Sequence, residues 1–184
     1  IGRDNTDNDN SDGLAGFSFS KIGKAGQVID AATSPWESEW ACVKDNVTGL
    51  LWQVHNSMEY FTWYEPDGNK NGGNSGIEDT PTTADCYGYN KDDKQTYCNT
   101  HAFIQRVNKE KLCGRQDWRL PTFQELQSII HYGNMPAVDA EYFPDLVSSP
   151  FWVVPYWTSS SFKDQAISIQ FYHGVMSYQD KGFR

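Results

Sequence analysis

Four cysteines, Cys42, Cys86, Cys98 and Cys113, constrain what this chain can fold into more than any other feature. An even set in 184 residues reads as the disulfide framework of a secreted or cell-surface protein, the alternative being a cytosolic chain with four free thiols. Helix geometry limits how the four can pair. Cys98 and Cys113 flank a predicted helix over residues 100–111, which spans roughly 18 Å at a rise of ~1.5 Å per residue. A disulfide needs Cα atoms within about 7 Å, so a continuous helix excludes that pair. Two connectivities remain: Cys86–Cys98 with Cys42–Cys113, or Cys42–Cys98 with Cys86–Cys113. The first is favoured, because the polar loop 87–97 contributes little core and gains from a staple across its base.

Asp117-Trp118-Arg119-Leu120-Pro121-Thr122-Phe123-Gln124-Glu125-Leu126 is the most detailed local signal. Thr122 and Glu125 have the spacing of a capping box, in which each side chain satisfies a backbone N–H at a helix start. Leu126, Ile129 and Ile130 follow on one face, predicting a helix over 123–132 with Gly133 as its C-cap. Pro121 holds Leu120 extended before the cap.

Strands are expected elsewhere. Phe17 to Ile22 alternates, and 40–43 and 50–54 read as a hairpin turned at Asp45-Asn46-Val47-Thr48-Gly49. Residues 151–154, 157–159, 166–171 and 175–178 form a strand-rich C-terminal quarter. Within it Ile167, Ile169 and Phe171 alternate with Ser168 and Gln170, as in an antiparallel strand with one buried face. The order predicts an α+β domain of two helices on an antiparallel sheet, with long irregular loops. Residues 1–14 read as a polar, Asp/Asn-rich leader and 15–184 as a single domain. The chain begins with Ile and carries no signal peptide, so it reads as a processed or excised piece.

Charge and composition exclude some functions. A formal net charge of −9 disfavours nucleic acid and docking on anionic lipid. No apolar run approaches the ~20 residues of a membrane span, so direct insertion is not expected. Aromatics make up 15% of the chain, enough to build a core of flat rings and leave others for a binding surface. The four histidines, His55, His101, His131 and His173, sit in no nucleophile or metal motif, and Ser159-Ser160-Ser161 lacks a Gly-x-Ser-x-Gly elbow. Without a convergent acid, base and nucleophile, the expectation is that the protein is not an enzyme.

The chain resembles the bacterial Lcl C-terminal domain family. The resemblance is carried by Leu112-Cys113-Gly114 with Asp117-Trp118-Arg119-Leu120-Pro121-Thr122, and by Trp40-Ala41-Cys42-Val43-Lys44-Asp45-Asn46-Val47-Thr48-Gly49-Leu50-Leu51-Trp52. Cys98-Asn99-Thr100, Tyr142-Phe143-Pro144 and Tyr156-Trp157-Thr158-Ser159-Ser160 complete it, in order along residues 15–184. It implies a C-type lectin-like fold, related to that of the formylglycine-generating enzymes. Those enzymes need a reactive cysteine pair near the C-terminus, where this chain has none. It further implies an adhesin-like role with glycan or extracellular-matrix ligands, and a homotrimer. The competing class is a structural subunit of a surface appendage or filament.

Two sets of candidate residues follow. In lectin-like folds long loops can hold calcium, and Asp67, Asn69, Asn71, Glu78 and Asp79 are the candidate ligands for a structural ion. The Asp/Asn run at Asp4, Asp7, Asp9 and Asp12 also looks like a calcium loop, but its register fails: Asp12 stands where a loop starting at Asp7 needs Gly. The lectin-like ligand surface would lie in the C-terminal region, at Tyr156, Phe162, Lys163, Tyr172, His173, Tyr178 and Gln179. Trp152 and Trp157 read as core. A sulfated glycan would need the cluster Arg106, Lys109, Lys111 and Arg115.

Overall fold

Alternation and turn chemistry build the N-terminal sheet. β1 (Phe19–Gly23), β2 (Trp40–Asp45) and β3 (Leu51–Gln53) pair antiparallel in that order. Asp45 closes the β2–β3 turn: its carboxylate accepts from the N–H groups of Val47 and Thr48 and from the Thr48 hydroxyl. The computed structural model describes residues 16–33, 40–54, 59–79, 86–146 and 155–183. The leader, with Asp4, Asp7, Asp9 and Asp12, lies outside these, as do His55, Trp152 and the strand expected at 151–154.

The C-terminal sheet is separate, so two three-stranded antiparallel sheets replace the single expected one. β4 (Tyr156–Phe162), β5 (Gln165–Gln170) and β6 (Val175–Asp180) run in order, with a register shift in β4 between Trp157 and Ser161. The expectation of one buried face on β5 fails. Ala166 and Ser168 are as fully buried as Ile169, because both faces of the strand are covered around Ile169. Ile169 and Phe171 join Leu126, Ile129, Ile130, Val138, Phe143, Trp40 and Val43 in the main core. On the other face Trp157 stands opposite Ser168 and donates its indole N–H to the Phe61 carbonyl.

Two helices separate the sheets. α1 (Thr100–Glu110) is capped by Asn99, whose side chain accepts from the Ala102 N–H, and it ends on Lys111 in the left-handed conformation. It buries Ala102 and Val107, while Phe103 and Ile104 are half-buried. α2 (Phe123–Gln127) starts at the capping box as expected but is shorter than the sequence suggests. The Ser128 hydroxyl donates to the Glu125 carbonyl at 2.7 Å, and such local bonding competes with helix continuation. Ile129 and Ile130 still reach the core from the following turn, and Gly133 is not the cap.

At that capping box Glu125 accepts from the Thr122 N–H at 2.8 Å and from Arg119 at 2.6 and 2.8 Å. The Arg119 hydrogen bonds hold the Glu125 carboxyl at about 2, helped by Thr122. A folded-state pKa below the unfolded value adds stability above pH ~4.5 that is lost as the pH falls towards ~2. Glu125→Gln should therefore cost about 1–2 kcal/mol at pH 7 in chemical denaturation. The gap to wild type should close as the pH approaches ~2, and a gap constant with pH would contradict this.

Both disulfides join distant pieces. Cys42–Cys113 ties β2 to the turn after α1 across 71 residues, and Cys86–Cys98 ties the base of the 87–97 loop to the start of α1. This is the favoured connectivity, and the α1 geometry that excluded Cys98–Cys113 is present. Lys21 is a third tether. Only 1% exposed, it donates to the carbonyls of Ala31 and Thr33 at 2.9 and 2.6 Å and lies 5.4 and 5.2 Å from the ring centres of Trp40 and Tyr142.

Candidate functional site

The segment 59–79 carries the candidate calcium residues, and it folds through its backbone. Thr62 pairs with Asn99 and Tyr64 with Gly76, and the Glu65 N–H donates to Ser75. Gly76 has φ 82°, and a side chain there would collide with the Trp63 carbonyl; Gly72 has φ 63° and would push one against Ser161. Loop and C-terminal hairpin therefore touch backbone to backbone, and the Lys163 N–H donates to the Gly72 carbonyl at 2.8 Å.

Lys181 locks this contact. It is 2% exposed, and its ammonium donates to the carbonyls of Asn71, Asn74 and Lys163 at 2.8, 2.6 and 2.5 Å. The same nitrogen sits 4.3 Å from the ring centre of Trp63, which is 1% exposed. Three donors thus meet three acceptors, with the aromatic face contributing to the cation's surroundings. Burial pushes its pKa below the ordinary lysine value, and Asp164 partly opposes this.

The five proposed calcium ligands have other partners. Asp67 accepts from Asn69 and pairs with Lys70, and the Asn69 N–H, helped by Lys70, holds its carboxyl below the usual range. Glu78 pairs with Lys94 at 2.7 Å, and Asp79 accepts from the Tyr89 hydroxyl. The Asn71 side chain spans its own turn, accepting from the Gly73 N–H and donating to the Glu65 carbonyl. No three His, Cys, Asp or Glu side chains are grouped to hold a metal ion among the described residues. The side-chain oxygens of Asp67, Asn71, Glu78 and Asp79 are engaged by N–H groups, by Lys70 and Lys94, and by the Tyr89 hydroxyl.

The predicted ligand surface divides. Residues paired across a sheet point to the same side, so Phe162, Tyr178 and Met176 share the face of Gln165, Ile167 and Ile169. The core covers that face at Ile169, then runs out. Beyond it Ile167 is half-buried, and Phe162, Tyr178 and Met176 are 66%, 57% and 42% exposed. Lys163 places its ammonium 5.2 Å from the Phe162 ring centre. Gln179 pairs with Ala166 and so faces the other way, its amide donating to the Ser177 hydroxyl. Tyr172 and His173 pack edge to face at 4.8 Å in the β5–β6 turn, the length of β5 away from Lys163, about 20 Å of strand.

Tyr156 is half-buried against the main core: its ring packs against Phe171 at 5.5 Å, its hydroxyl donates to the Asp145 carbonyl, and burial raises its pKa. Trp157 is half-buried, as its indole hydrogen bond to Phe61 requires. The site residue missed is Met176, two positions before Tyr178, whose spacing on an edge strand was the available signal.

The other candidate groups are dispersed. Half-buried Arg106 donates to the carbonyls of Gln95 and Tyr97, and Arg115 pairs with Asp117, so the basic cluster beside α1 is partly spent on structure. His101 bonds Gln105, His131 packs beside Phe17, and His173 lies in the β5–β6 turn. No helix among the described residues is long and apolar enough to cross a membrane.

The family model described as the Lcl C-terminal domain matches residues 41–184. No curated protein and no solved structure matches the chain.

Proposed function

The chain belongs to the Lcl C-terminal domain family, and from that premise we propose a non-catalytic extracellular binding module, adhesin-like, that recognises a glycan or a matrix protein. One observation carries this reading. The open end of the C-terminal sheet turns Phe162, Tyr178 and Met176 to solvent on a single face, beside the Lys163 ammonium. Flat rings with a cation and amides at their margin suit the faces of sugar rings or the side chains of a protein ligand. Two disulfides are compatible with an extracellular setting. The C-type lectin-like fold belongs to this proposal too, supported by the two-disulfide α+β arrangement with its long loop.

Binding needs no calcium in this reading. The Lys181 ammonium supplies inside the loop the positive charge that the carbonyls of Asn71, Asn74 and Lys163 face. The test is a screen against glycan and matrix-protein arrays, run in calcium and again in chelator. The expected result is saturable binding that survives chelator and weakens about tenfold or more in Tyr178→Ala, as loss of a central aromatic anchor does. Silence under both conditions, or a Tyr178→Ala variant that binds like wild type, would remove the reading.

A further inference from the structure

Three of the four sheet edges are protected. At β1 the Ile29 N–H donates to the Lys21 carbonyl and Val28 bridges Ile22. At β4 the Ser159 N–H donates to the Pro121 carbonyl at 2.7 Å. β3 is only three residues long, and a short edge offers little to pair with. β6 has none of these devices. Its six residues, Val175-Met176-Ser177-Tyr178-Gln179-Asp180, pair with β5 in unbroken register. Among the described residues one backbone bond reaches its outer side, from the Phe183 N–H to the Asp180 carbonyl at the strand's end, and the outward N–H and C=O groups of Met176 and Tyr178 have no backbone partner. It contains no Lys, no Pro and no bulge, the features that normally keep edges from adding a strand. Val175, Met176 and Tyr178 are all exposed along it.

We propose that β6 pairs antiparallel with β6 of a second copy of this chain, joining two three-stranded sheets into one of six strands about a two-fold axis at Ser177. A two-fold axis perpendicular to the sheet requires paired residues to lie on the same side, so the register must centre on a residue. With Ser177 at the axis, Met176 stands opposite the partner's Tyr178, and Tyr178 opposite the partner's Met176. Each thioether then meets an aromatic ring. Asp180, the strand's one charged residue, falls opposite the partner's Gly174, so no like charges face each other. Self-complementarity of this kind favours a second copy over an unrelated peptide. The net charge of −9 opposes association, but salt screens it beyond about 8 Å at physiological ionic strength. An isologous edge closes at two copies, so it yields a dimer and no larger ring. The pairing doubles the exposed apolar face, and it stands whether or not that face binds a glycan or a matrix protein.

Sedimentation of the full chain without ligand, from about 1 to about 200 µM, tests it; six residues a side is a small interface, so the dimer should be concentration-dependent. The mass should rise from monomer towards twice that value. Met176→Lys with Tyr178→Lys puts lysine opposite lysine twice and should hold the chain at monomer mass at the highest concentration. Met176→Lys with Tyr178→Glu puts lysine opposite glutamate twice and should restore the doubling. Circular dichroism checks that both variants fold. If either does not, Ser177→Cys decides, because the axis would bring the two thiols together and mild oxidation would link the copies. A wild-type monomer throughout, a trimer, association of the double-lysine variant, or a monomeric lysine–glutamate variant would each overturn the proposal.

Discussion

Lys181→Met should destabilise the protein by about 3–5 kcal/mol in urea unfolding, a large share of a domain's whole stability. Methionine keeps the length and apolar stem of lysine but has no donor. The carbonyls of Asn71, Asn74 and Lys163, now bonded at 2.5–2.8 Å, would be left without their partner beside a fully buried indole. A stranded buried acceptor costs about 1–3 kcal/mol; the Asn74 and Lys163 carbonyls are stranded outright, while the Asn71 carbonyl keeps the Asn74 N–H at 3.3 Å. Arginine should not rescue the variant, since its planar fork does not converge three donors on one point. The loss should be visible locally as well. Amide exchange at Trp63 and Lys163, whose N–H groups cross between loop and hairpin, should accelerate. A change below about 1 kcal/mol would show that the ammonium contributes little beyond filling space.

Replacing Cys42 and Cys113 together by alanine should cost about 4 kcal/mol, against about 3 kcal/mol for Cys86 with Cys98. The difference comes from loop length, 71 residues against 12, because the longer tether removes more freedom from the unfolded chain. Packing adds to the first loss. Cys42 is 0% and Cys113 3% exposed, within a cluster with Ile22 and Ala41, so truncation there leaves a gap. Thermal and chemical unfolding of the two double variants gives the order directly. The reverse order would mean that the 87–97 loop stabilises the domain more than its sparse core contacts suggest.

How much of this was legible in the sequence depended on whether the signal was local. The Thr122–Glu125 capping box and the β2–β3 turn rest on short-range chemistry, and each lies where its residues predict. The disulfide pairing was legible in two steps: α1's length excludes Cys98 with Cys113 and leaves two connectivities, and the polar loop 87–97 favours the one observed. The sequence pattern overstates the length of α2, since Ser128 resembles any polar helix residue, and only its hydroxyl bond to the Glu125 carbonyl marks the end. The double-sided burial of β5 was not legible. Ser168 is buried because residues 61–63, about a hundred positions away, cover that face. Lys181 was invisible for the same reason: Asp180-Lys181-Gly182 reads as a solvated turn, and only the loop's carbonyls make it internal. Tyr156 and Tyr178 look alike as residues near strand ends. The first falls within reach of the core, the second past its limit.

The measurement that bears most directly on the central claim is hydrogen–deuterium exchange on the protein with and without its best array hit, at one fixed low protein concentration. The account predicts new protection confined to 162–163 and 175–180, with none at α1 or at the 87–97 loop. Protection centred on Arg106, Lys109 and Lys111, or on the 87–97 loop, would contradict it and move the binding face off the C-terminal sheet.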